Sequence, residues 1–87
     1  MKPDHVILGI HVMDRLHGAA ELQRTLTEFG AHIKTRLGLH ETGDSYSSPG
    51  GIVLLELVGA VEDLVTLRAR LQGIVGLEIQ QMVFSHE

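Results

Sequence analysis

The chain has no cysteine. That excludes disulfides as a source of folding energy, and with them a cysteine-based zinc site or a thiol nucleophile. It also lacks an excess of positive charge: 7 basic against 11 acidic residues leave a formal net charge of −4, with the two signs interspersed. A nucleic-acid binder is expected to carry a basic stripe, and none is present. No apolar run approaches the roughly 20 residues that span a bilayer. The stretch from Met1 to Asp14 has neither the charged-then-apolar layout nor the small-residue cleavage site of an export signal. Catalytic spacings are missing too: there is no HExxH, no serine in a nucleophile-elbow sequence and no Walker-type phosphate loop. The expectation is a cytoplasmic, non-enzymatic chain that needs no cofactor and binds neither nucleic acid nor membrane.

What the chain does have is a unit written twice. HVILGIHV, a helical stretch from Asp14 to Phe29, Gly30 and AHIKTRLGLH form the first copy. GGIVLLELV, a helical stretch from Val61 to Gln72, Gly73 and IVGLEIQQMVF form the second, and the polar segment Glu41 to Gly50 separates them. Strand–helix–strand twice over predicts an α+β, ferredoxin-like βαββαβ sandwich occupying residues 1–87 as a single domain. Right-handed crossovers give an antiparallel sheet of order 4-1-3-2, with both helices on one face. Asp14 is placed to cap the first helix and Gly30 to end it in a left-handed conformation. Leu16, Ala19, Ala20, Leu22, Leu26 and Phe29 form the apolar stripe of that helix, and Val61, Leu64, Leu67 and Leu71 that of the second.

Period-2 alternation assigns the faces. Val6, Leu8, Ile10 and Val12 of the first strand point to the helices. In the second strand Ile33, Thr35, Leu37 and Leu39 form one set and His32, Lys34, Arg36, Gly38 and His40 the other. The uncovered face is then expected to hold Ile7, Gly9, His11, Ile52, Leu54, Glu56, Val58 and Met82, rimmed by Arg36, His40, Glu78 and Gln80. Apolar in the centre and polar around the edge is the composition of an interface. A domain of 87 residues buries only roughly 60–65% of its unfolded surface, which leaves it marginal alone. Both points favour a homodimer or homotetramer.

VMDRLHGAAELQRTLTEFGAHIKTRLGLHE resembles the ACT-domain pattern of a strand, an Asp-capped helix, a glycine and a second strand. Together with ILGIHVMDR, IVLLELVG and LQGIVGLEIQQMV, it is similar to the small proteins called iron-only hydrogenase system regulators. These resemble free-standing ACT-like domains and the metal-sensing C-terminal domain of the nickel-responsive repressor. The likeness runs from about Val6 to Val83, and RLGLHE and GIVGLEI are its most specific pieces. It implies a regulatory domain that binds a small-molecule effector, a metal or a protein partner, and that acts through self-association. The repressor's DNA-binding segment has no counterpart among the six elements. In ACT-like domains the first strand-to-helix turn commonly forms one wall of the effector site. Carried onto this chain, that names Asp14, Arg15 and His17, with Arg36 and His40 from the RLGLHE strand. Helix N-terminal N–H groups suit a carboxylate or phosphate, although Asp14 can itself occupy them. The glycine that usually follows the ACT aspartate is displaced here to Gly18.

Six histidines invite a metal-sensor alternative. The pair that shares one end of the open face is His11 and His40. A strand lies between them, so their backbones are roughly 10 Å apart at about 4.8 Å per strand. Metal–imidazole bonds of about 2.0–2.1 Å then require the rings to lean together over Ile52 or Leu54. Glu41, Glu56 or a second subunit would complete the ligand set. Surface or interface histidines are the plainer reading. Glu56 is expected either to have a raised pKa through burial or to form an ion pair with Arg36. Tyr46, the only tyrosine, sits in the long central loop, where it is either solvated or in contact with a partner.

Overall fold

The computed structural model describes residues 4–13, 15–39 and 51–85, and residues 15–17 by their backbone alone. The elements are β1 (His5–Val12), α1 (Arg15–Glu28), a 3-10 turn (Gly30–His32), β2 (Ile33–Leu39), β3 (Ile52–Leu57), α2 (Val61–Gln72) and β4 (Leu77–Phe84). Strand order is β2-β3-β1-β4 with antiparallel neighbours, which is the expected 4-1-3-2 read from the opposite edge. The fold is a small α+β, ferredoxin-like sandwich.

Alternation in β1 does what the pattern requires. Leu8 and Ile10 are fully buried and Val12 nearly so. They join Leu55 and Leu57 of β3, Leu22 and Leu26 of α1, and Leu67 and Leu71 of α2 in one core. Burial of each such side chain contributes roughly 1.5–3 kcal/mol. Three described residues depart from the helical stripes, and one of them is Ala20 of α1, which is exposed. Thr25 is buried within α1 although it is polar, and Val61, at the start of α2, is 72% exposed. Asp14, the expected cap of α1, lies outside the described residues.

The end of α1 differs from expectation. Gly30 is not left-handed; positive φ occurs, among the described residues, at Gly59 (φ 124) and Gly76 (φ 90). The chain leaves α1 through the 3-10 turn, in which the His32 N–H donates to the Phe29 carbonyl at 2.9 Å. That tighter i→i+3 turn reverses direction without a left-handed residue.

The larger correction concerns β2. Ile33 pairs with Leu57 of β3, but the next pair is Thr35 with Glu56, so Lys34 is skipped in a β-bulge. One extra residue inverts every side chain beyond it. Ile33 therefore packs against the core, while Thr35, Leu37 and Leu39 stand opposite Glu56, Leu54 and Ile52 on the uncovered face. Arg36, expected on the rim of that face, lies on the helix side instead, where its Nη2 donates to Gln23 Oε1 of α1 at 2.9 Å.

Candidate functional site

The uncovered face of the sheet carries the chemistry-bearing side chains, and register fixes their order. Ile7 of β1 lies between Glu56 of β3 and Met82 of β4; Gly9 lies between Leu54 and Gln80; His11 lies between Ile52 and Glu78. With Leu37 and Leu39 turned onto this face by the bulge, its apolar area extends out to the β2 border, further than alternation alone implied. Leu37 is 51% exposed, Met82 51% and Phe84 53%. A Cβ added at Gly9 would lie 3.6 Å from Leu54 Cδ2, so the leucine fills the space that the glycine leaves.

Each end of the face holds a polar network. At the amino end of β1, His5 Nε2 donates to Glu56 Oε2 at 2.7 Å, and Thr35 Oγ1 donates to Glu56 Oε1 at 2.8 Å. The three residues come from three adjacent strands, so this network pins β2 to β3 and β3 to β1. The Thr35 hydrogen bond, seconded by His5, holds the Glu56 carboxyl below its ordinary value of 4.5. The expected raised pKa and the alternative Arg36 ion pair both give way to this arrangement. The bulge supplies the cause, since it brings Thr35 to Glu56 and takes Arg36 away. At the other end, His11 Nδ1 donates to Glu78 Oε1 at 3.3 Å, with both side chains about half exposed.

Of the expected effector residues, Arg15 and His17 have their backbones at that second end. β1 and β2 run parallel, so the start of α1, where the backbones of Arg15 and His17 lie, shares an end of the sheet with the close of β2. The turn between β1 and α1 is held by the Met13 N–H donating to the Gly76 carbonyl at 2.7 Å and the Val12 N–H to the Gly51 carbonyl at 2.9 Å. The side chains of Arg15 and His17, the whole of Asp14 and His40, and the segment containing Glu41 and Tyr46 lie outside the described residues. Arg36 is described, and its bond to Gln23 places it on the other side of the sheet from His11. Among the described residues no group of three or more His, Asp or Glu side chains could hold a metal ion.

Two clefts open at the amino end of β1, and neither was read from the sequence. One, of about 230 Å³, is lined by polar residues including Asp4, His5, Lys34 and Glu56. It is bordered by Gly59, where an added Cβ would come within 2.5 Å of His32 Nδ1. The second, of about 370 Å³, lies on the helix side between α2 and strands β1 and β4. Its one available signal was the exposed start of the α2 stripe, and a helical period cannot by itself separate a buried valine from one lining a groove.

No protein-family model matches the chain, and neither does any curated protein. Among solved structures, the uncharacterized protein TM1266 from Thermotoga maritima superposes with a TM-score of 0.81 at 21% identity, over 95% of this chain and 100% of that one. A protein from Thermus thermophilus, described as a candidate PII-like signaling protein, gives a TM-score of 0.51 at 14% identity, over 92% and 87% of the two chains. At these identities the likeness establishes the fold. Among the described residues no helix is long and apolar enough to cross a membrane.

Proposed function

We propose that the chain is a small, non-enzymatic regulatory domain of the ACT-like and PII-like kind, which senses a ligand and works as a homodimer or homotetramer in the cytoplasm. One observation carries the reading: a sheet whose uncovered face has an apolar centre and polar ends. A partner that buries this face relieves the exposure of Leu37, Leu39, Ile52, Met82 and Phe84. A second copy brings the same complementary pattern under two-fold symmetry. Likeness of fold to a PII-like protein supports a sensing role. A place in an iron-only hydrogenase system rests on the resemblance of RLGLHE and GIVGLEI alone. Effector binding is assigned to the end of the sheet where Arg15, His17 and the close of β2 meet.

Light scattering tests the assembly. The wild-type chain is expected to remain a dimer or tetramer across the micromolar range, and a monomer throughout that range refutes the self-association. A thermal-shift screen over amino acids, nucleotides and metal ions tests the sensing role. An effector that raises the melting temperature is expected to lose its effect in Arg15→Ala or His17→Ala. A metal whose shift survives in both His11→Ala and His40→Ala removes the metal-sensor alternative.

A further inference from the structure

We propose that the 370 Å³ cleft between α2 and strands β1 and β4 binds a small amphipathic monocarboxylate, its carboxylate on Arg68 and its apolar body against the valines of the groove. The size falls within the roughly 300–1,000 Å³ of small-molecule sites, which are mostly apolar with a few polar groups. Its floor is made by Leu8 and Leu57 of the core, and its rim by Val61 and Val65 of α2 and Val83 of β4. Those rim valines are 72%, 55% and 46% exposed, so three apolar side chains face one groove with nothing described above them.

Arg68 says what sort of molecule fits. The other arginines with described side chains all have partners: Arg24 with Glu21, Arg36 with Gln23, and Arg70 with both Glu28 and the ring of Phe29. Those three are exposed, whereas Arg68 is half-buried and has neither a hydrogen bond nor an ion pair among the described residues. Its neighbours one turn away on α2 are Leu64, Val65, Leu71 and Gln72, none of them acidic. A half-buried guanidinium that bonds to no described carboxylate presents a planar fork of donors, and the group that matches it is a carboxylate bound through both oxygens. Asp4 lines the same cleft and is exposed. Its negative charge opposes a second anionic group on the ligand, which separates a monocarboxylate from a dicarboxylate or a phosphate monoester.

The proposal rests on the ligand-sensing half of the function proposed above and not on self-association. The cleft is at the amino end of β1, away from the start of α1, so it is a site separate from Arg15 and His17. Calorimetric titration of the full chain with octanoate, octanol, octylammonium and acetate decides it. Octanoate is expected to bind one per chain, with octanol, octylammonium and acetate each weaker by about tenfold or more. Arg68→Gln is expected to lose octanoate binding by the same factor, and Arg70→Gln to keep it. Equal affinity for octanoate and octanol, or no octanoate binding at millimolar concentration, overturns the proposal on wild-type protein alone, whatever the stability of the variants. Octanoate binding that survives Arg68→Gln but is lost in Arg15→Ala or His17→Ala sinks the cleft while leaving the sensing domain intact.

Discussion

Two glycines and one glutamate show how much single residues decide here. Gly59 combines φ 124 with a Cβ position only 2.5 Å from His32 Nδ1. The ring is held in place because His32 Nδ1 donates to the Val58 carbonyl at 3.3 Å while the Val58 N–H donates to the His32 carbonyl at 2.8 Å. Gly59→Ala is therefore expected to destabilise the domain by on the order of 1–3 kcal/mol in a urea unfolding series. Adding His32→Ala should recover the steric part of that loss and leave the backbone part. Gly30 is the opposite case, since its φ is not positive and an added Cβ there meets nothing within 4 Å. Gly30→Ala is expected to stabilise by about 0.4–1 kcal/mol, through the entropy of the unfolded chain. Glu56 sets a pH dependence. Its folded pKa lies below the ordinary 4.5, so the unfolded chain takes up the proton first as pH falls. Its contribution is complete above about 4.5 and is lost as pH falls through the folded value. Glu56→Gln should accordingly cost stability at neutral pH, and the gap from wild type should close in acid. A gap that stays constant from neutral pH down through the carboxylate range would rule this out.

At the scale of elements, the bulge at Lys34 shows where reading a sequence stops. Strand order, the buried leucines of the two helical stripes and the faces of β1, β3 and β4 were legible, because each follows from a period that runs along the element. In β2 the alternation of Ile33, Thr35, Leu37 and Leu39 is also uninterrupted on paper. Nothing in IKTRLGL marks Lys34 as the residue that β3 leaves unpaired. The bulge is a property of the pair of strands, set by where Ile33 meets the core, and one strand alone does not contain it. The Glu56 network was hidden for the same reason, because Thr35 reaches it only after the inversion. The cleft at Arg68 was hidden because it arises from the spacing of α2 against β4. Leu37 and Leu67 make the difference measurable. With unbroken alternation Leu37 would belong to the core, and Leu37→Glu would unfold the chain. On the uncovered face it should leave the urea midpoint close to wild type and weaken self-association. Leu67 is fully buried, and Leu67→Ala is expected to cost about 2–5 kcal/mol, a large part of the roughly 5–15 kcal/mol that holds a domain together.

For the whole molecule, the two borders of the sheet are not equivalent. The β2 border carries the bulge at Lys34 and the cations Lys34 and Arg36, the devices by which natural sheets refuse a neighbour. The β4 border is eight residues long, pairs with β1 without a register break, and contains no proline and no lysine. Among the described residues nothing lies outside it. Along the hydrogen-bonding direction such a molecule has a valency of one. A growing fibre needs every added unit to present a fresh receptive border, whereas here a second copy joined through β4 would leave only blunted borders at both ends. Concentrated protein is therefore expected to stop at small closed species in sedimentation velocity, without thioflavin-positive fibrils. Deleting Lys34 would straighten β2 and remove that terminator, and fibril growth by the deletion variant alone is the outcome that ties chain termination to a single skipped residue.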